Sequence, residues 1–191
     1  MSLIPVNLKI TGKRPLLMHN PAGMRAPKGA SKRGQIPEPE VEAEAGAYRL
    51  PNGDLYASSA WFAGSLRHAA KGMKIGKFAA KPLLEAGLDY LNELIPLIDP
   101  ETGEPLREYV IDAQRAVVQR QGIIRHRPRL DKWGCTLRLT YDTDVFPGTN
   151  AEKMILEFFS QAGARAGIGD QRPSAPSTPG RFGTFTVELL E

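Results

Sequence analysis

Residues 133–141 alternate without a break, with Trp133, Cys135, Leu137, Leu139 and Tyr141 on one side and Gly134, Thr136, Arg138 and Thr140 on the other. A period of two over nine residues defines a strand with one buried face, because successive side chains leave a strand on opposite sides. Such a strand needs sheet neighbours and a second layer over its apolar face. Residues 3–11 read as a second half-buried strand: Ile4, Val6, Leu8 and Ile10 alternate with Leu3, Pro5, Asn7, Lys9 and Thr11, and Gly12 ends the run. Cys135 falls among the apolar positions, which suits a buried, inert thiol. It is the one cysteine in 191 residues, so the chain has no internal disulfide and no cysteine zinc cluster, and it fits a reducing compartment.

Two amphipathic stretches provide the covering layer. Ser58 and Ser59 offer an amino-terminal cap for a helix from Ala60 to Lys71, with Trp61, Phe62, Ser65, Leu66 and Ala69 on its buried side. Arg67, His68 and Lys71 lie near its other side, and Gly72 closes it. Thr149 or Asn150 caps a second helix, from Ala151 to about Gly163, that buries Met154, Ile155, Phe158, Phe159 and Ala162. A further strand is expected where Phe182, Thr184, Thr186 and Glu188 alternate with Gly183, Phe185, Val187 and Leu189. Asn52-Gly53 marks a hairpin turn within residues 48–56.

Between these elements lies the most cationic segment. From Arg115 to Arg138 come Arg115, Arg120, Arg125, Arg127, Arg129, Lys132 and Arg138, with Asp131 the only acid. Interleaved Val117, Val118, Ile123 and Ile124 indicate a strand. Arg125, Arg127 and Arg129 then share one face about 7 Å apart, the spacing of phosphates along a single nucleic-acid strand. Because local acids are missing, this row is expected to meet a phosphate backbone.

With that strand included, the order is strand, helix, strand, strand, helix, strand. This is the α+β, ferredoxin-like β-α-β-β-α-β unit, an antiparallel sheet with two helices on one face. The expectation is a single domain over 1–191, with insertions at about 12–57 and 72–109.

Residues 21–47 lack a clear period and read as a long mobile loop, basic first (Arg25, Lys28, Lys32, Arg33) and acidic afterwards (Glu38, Glu40, Glu42, Glu44). Four glutamates without aspartate or histidine define no coordination geometry, so neither a metal nor a cofactor is expected. Residues 163–172 carry Gly163, Gly167 and Gly169 together with Arg165 and Arg172. Here a helix is expected to open into a loop with free backbone amides, suited to an anion. Lys71, Lys74, Lys77 and Lys81 form a second basic patch, and Tyr48, Tyr56 and Trp133 are the candidate stacking rings. His19, His68 and His126 are the weak candidates for general acid–base chemistry, with no motif tying any of them to a second catalytic group.

Three motifs in this order resemble the RAMP superfamily, the repeat-associated RNA-binding proteins of CRISPR effector complexes. The first is Pro15-Leu16-Leu17-Met18 after the leading strand. The second is residues 55–67, similar to the family's turn into a helix, "Pro-x-Ser-Ser-x-x-Gly-x-x-Arg", with Ala57 near the usual proline. The third is residues 163–185, similar to the glycine-rich loop before the final strand but lengthened by residues 173–179. Arg127-Pro128-Arg129, residues 167–170, Arg172-Pro173 and residues 180–183 also look like an uncharacterised group of bacteriophage-encoded proteins.

The resemblance implies a backbone-type subunit that coats single-stranded RNA or DNA as repeated copies. Ser58, Ser59, Arg67, Arg165 and Arg172 would contact phosphates, the 21–47 loop would act as thumb or finger, and other effector or phage subunits would be further partners. Two other functions stand beside this one. One is a metal-independent RNA-processing endonuclease using a histidine; the other is a structural assembly protein without nucleic acid. No basic leader with an apolar core and no apolar run of membrane-spanning length is seen. The expectation is a cytoplasmic protein of a prokaryotic cell, with no membrane partner.

Overall fold

The two alternating stretches lie side by side. Leu3 pairs with Asp142 and Thr11 with Gly134 in an unbroken antiparallel register, so Val6, Leu8 and Ile10 share a face with Cys135, Leu137 and Leu139. A computed structural model describes residues 2–23, 38–118, 121–146, 148 and 150–190, with the backbone alone at 117, 118 and 121. Arg25, Lys28, Lys32, Arg33 and Arg120 lie outside the described residues, as does the candidate cap Thr149.

In chain order the elements are β1 (Leu3–Gly12), β2 (Leu16–Leu17), α1 (Pro39–Gly46), β3 (Tyr56–Ser58), α2 (Ser59–Ala69), β4 (Lys74–Ile75) and β5 (Phe78–Ala79). They continue with α3 (Ala80–Gly87), β6 (Leu88–Tyr90), β7 (Leu94–Pro96), β8 (Val110–Val118), β9 (Gln121–Leu130), β10 (Gly134–Asp142), α4 (Ala151–Gln161) and β11 (Phe185–Leu190). The fold is mixed α+β with antiparallel sheets and four α-helices among the described residues.

The main sheet runs β11-β1-β10-β6, every neighbouring pair antiparallel. Its apolar face is covered by α2 and α4: Phe62, Leu66, Ile155 and Phe159 join Leu8, Ile10, Leu137 and Leu139 in one core. Phe62 also meets Phe185 of β11 edge to face, with ring centroids 5.7 Å apart. Cys135 is buried there, and desolvation pushes its thiol up to about 12, so at neutral pH it stays protonated. No helix of the described residues is long and apolar enough to cross a membrane.

Four sequence expectations are corrected. The arginine-rich strand is not in the main sheet. It is β9, which pairs with β8 and β2 in a second sheet, and the place beside β10 belongs to the three-residue β6 from the 72–109 segment. A strand that short has no period to read.

Part of the 21–47 segment is helical. In α1, Pro39 sits in the first turn, where its missing N–H costs nothing, and Glu40 and Glu42 face the positive end of the helix dipole. Glu42, Ala43 and Gly46 are its buried face, with Gly46 close against Pro128 of β9.

The final strand starts at Phe185 rather than Phe182. Residues 182–184 turn instead, with Gly183 at φ +65° and its N–H donating to the Pro15 carbonyl oxygen. Lastly, α4 does not open into a loop at Gly163: it passes into one wide π-helical turn, Ala162–Ala166.

Candidate nucleic-acid interface

Ser58 caps α2 as expected, its Oγ accepting from the Ala60 N–H at 3.3 Å. The amino end of α2 then faces the glycine loop. Ala60, Trp61 and Gly64 on one side and Ile168, Gly169 and Arg172 on the other enclose a small hollow of about 120 Å³. Beside it stands an aromatic set: Tyr48 meets Trp61 edge-on at 4.8 Å and Tyr56 at 5.6 Å, and its Oη donates to the His19 carbonyl oxygen. Trp133 is not available for stacking. It is fully buried, and its Nε1–H donates to the Arg14 carbonyl oxygen at 2.9 Å.

The amides of the glycine loop are mostly spent on the fold, contrary to the expectation that they are free. Gly167 N–H donates to Ala162 O, Ile168 N–H to Gly183 O, Asp170 N–H to Leu17 O and Gln171 N–H to Asp170 Oδ1. Gly169 N–H has no partner among the described residues and lines the hollow.

Gly169 is held at φ +77°, and a Cβ there would lie 2.6 Å from Leu16 Cδ1, so the position requires glycine on two counts. Gly163 and Gly167 are buried; a Cβ on Gly163 would meet the Phe185 carbonyl oxygen at 2.3 Å. These glycines seat the loop. Arg172 works partly for the loop as well: Nη1 donates to Gly169 O at 2.9 Å and Nε to Ser174 Oγ at 3.1 Å.

The arginine row of β9 is matched by acids, most of them from outside its own segment. Arg125 Nη1 donates to Glu42 Oε1 at 2.8 Å, Arg127 Nε lies 2.9 Å from Asp170 Oδ2, and Arg129 sits 2.7 Å from Asp131 and 3.6 Å from Asp112. Glu42 is the centre of a network, since its Oε2 also accepts from the His126 backbone N–H at 3.1 Å and lies 2.9 Å from His126 Nδ1. Burial alone would push the Glu42 carboxyl up, but the hydrogen bonds from Arg125 and His126 outweigh it and hold the carboxyl below its ordinary range. The side chain of Arg127 is only 12% exposed. This row is neutralised from within, and its bare availability to phosphates, inferred from local sequence, does not hold.

The remaining candidates scatter. Arg67 is ion-paired with Glu85 of α3. Lys71, His68 and Arg165 are exposed, and Arg165 has no ion-pair partner among the described residues. Ser59 donates its backbone N–H to Glu93 O.

His19 lies beside β9, the strand that carries His126. The β2–β9 register continues through the Met18 N–H to Pro128 O bond and brings His19 alongside Arg127. Burial holds the His19 imidazole below its usual value; nearby Asp170 opposes this, while Arg127 and Arg125 add to it. Its Nδ1 is buried without a hydrogen-bond partner among the described residues, as are Nε and Nη1 of Arg127, whose contact with Asp170 lacks hydrogen-bond alignment.

A second, larger hollow of about 540 Å³ was not foreseen from the sequence. Lys13, Arg14 and Arg181 line it, with Ser160, Thr184 and Thr186 adding hydroxyls and Phe185 and Val187 an apolar floor. The three cations are exposed, and none has an ion-pair partner among the described residues. The signal was present in the sequence: Lys13-Arg14 follows the first strand and Arg181 precedes the last, without acids between them and the strands. Comparison with protein-family models and with curated proteins finds no match for this chain.

Proposed function

We propose that the protein binds single-stranded RNA or DNA without catalysis, in the manner of RAMP backbone subunits, and coats the strand as repeated copies. The observation that carries this reading is the meeting of a serine-capped helix start with a glycine–arginine loop beside three packed aromatic rings. A Gly169 N–H without a partner among the described residues and the helix amino end favour a phosphate, and Trp61 with Tyr48 offers π-faces for bases. The sheet order β11-β1-β10-β6, antiparallel throughout with α2 and α4 on one face, supports the finer fold assignment: a ferredoxin-like sheet in which β6 takes the second strand's place.

Titrating the protein with unlabelled single strands of 10, 20 and 40 nucleotides and measuring complex mass tests this. Copies bound per strand rise with length under this reading. An oligomer whose size ignores the nucleic acid would instead mark a structural assembly protein, and no complex at all would end the proposal.

One observation favours a second reading, a metal-independent endoribonuclease. His19 carries a buried Nδ1 without a hydrogen-bond partner among the described residues, alongside Arg127, whose Nε and Nη1 make no aligned hydrogen bond although Asp170 lies 2.9 Å away; a general acid–base group and a guanidinium able to stabilise a phosphorane thus stand together. Incubating end-labelled RNA with the protein in the presence of EDTA decides it: cleavage abolished by His19→Ala supports this reading, and intact RNA removes it.

A further inference from the structure

We infer that the hollow lined by Lys13, Arg14 and Arg181 is a second backbone subsite, holding the phosphates of the same single strand where it leaves the glycine loop. This inference rests on the single-strand reading above and adds to it the residues that supply most of the electrostatic attraction. The first ground is what charge is free. The arginines of β9 already face Glu42, Asp170, Asp112 and Asp131, so a phosphate there has to compete with a carboxylate. Lys13, Arg14 and Arg181 have no such competitor among the described residues, none of whose acids lines their hollow. Unpaired cations release bound counter-ions to an incoming polyanion at no cost in broken ion pairs.

The second ground is position. Arg172 lines the small hollow at the start of α2, and the next residue, Pro173, lines the larger one, so adjacent residues of one loop line both. A ligand with charge repeated along its length reaches both, whereas a lone phosphate fills one. The third ground is chemistry. Ser160 and Thr184 stand among the cations with hydroxyls that can donate to phosphate oxygens, and Trp61 of the small hollow suits a base. An acidic peptide would use the cations but has no call on the aromatic ring.

The test uses full-length protein, a fluorescein-labelled 20-nucleotide oligo(U) and poly-glutamate of similar length. Each neutralised phosphate on a single strand contributes about 0.7 to the slope of log affinity against log salt. The Lys13→Ala/Arg14→Ala/Arg181→Ala variant is therefore expected to flatten the slope by about 2, with a melting curve little changed, because these exposed side chains make no hydrogen bond or ion pair among the described residues. Oligo(U) carrying 4-thiouridine is expected to cross-link to peptides containing residues 13–14 and 181–186. If wild type binds oligo(U) and the variant keeps the same slope, with cross-links elsewhere, the subsite is refuted while the single-strand reading survives. A variant that loses poly-glutamate binding but retains oligo(U) binding would refute it too, by assigning the hollow to an acidic protein. Failure of wild type to bind oligo(U) would remove the underlying reading, and this inference with it.

Discussion

Two cationic regions of this chain differ in what their charge is for. The β9 arginines stand out in the sequence, three at spacing two with one acid nearby, yet each has a carboxylate partner in the fold. Lys13, Arg14 and Arg181 are inconspicuous in the sequence and have no ion-pair partner among the described residues. The first set ties α1, the glycine loop and the second sheet together, and the second is the one we propose to meet a ligand. Charge density along a chain is thus a poor measure of charge available at a surface. Tertiary partners decide, and Glu42 lies 83 residues from the His126 neighbour Arg125 that it holds.

If that contrast is right, removing the partner at the centre of the paired region has the largest effect on the fold. Glu42→Ala leaves Arg125 and the His126 N–H without their acceptor, and it is expected to cost about 2–3 kcal/mol in a urea melt, the range for lost hydrogen bonds to charged groups. Oligonucleotide affinity of the folded variant should change little. A stability within about 0.5 kcal/mol of wild type would show that the network does not hold the fold. Gly163→Ala follows, because its Cβ would meet the Phe185 carbonyl oxygen. Overpacking of this kind typically costs about 1–3 kcal/mol, measurable as a lower urea midpoint.

Acid sharpens the same comparison. The Glu42 carboxyl is held below its ordinary value of 4.5 in the folded state, so the unfolded chain takes up this proton first as pH falls. The stabilisation it gives is full above about 4.5 and is lost as pH drops through the folded value. Glu42→Gln should therefore flatten the acid side of a stability–pH curve; an unchanged curve would remove Glu42 from the acid response. On the unpaired side the effects invert. Arg181→Ala should leave stability within about 0.5 kcal/mol and weaken single-strand binding about three- to fivefold, alike for every sequence.

Much of the fold was legible because period survives folding. The alternation at residues 3–11 and 133–141 became β1 and β10, and the 3.6-residue patterns after Ser58 and Asn150 became α2 and α4. The hairpin turn also held, with Gly53 at φ +90° and Arg49 bridged to Leu55. What stayed hidden was set at long range. The three residues of β6 carry no period, and the acids that neutralise Arg125 and Arg127 come from distant segments. The loop amides that composition suggested were free are claimed by Leu17, Ala162 and Gly183. The candidate site was legible at its Ser58 cap and at the glycine–arginine loop, but not at the larger cationic hollow, which forms only when the ends of β1 and β11 meet.

The most direct test of a phosphate-driven, single-strand function is the salt dependence of wild-type affinity for a 20-nucleotide single strand between roughly 50 and 400 mM monovalent salt, followed by fluorescence anisotropy. Three unpaired cations engaging phosphates predict a log–log slope of about −2 or steeper, the same for oligo(U) and oligo(dA). Affinity that stays flat across that range would contradict it.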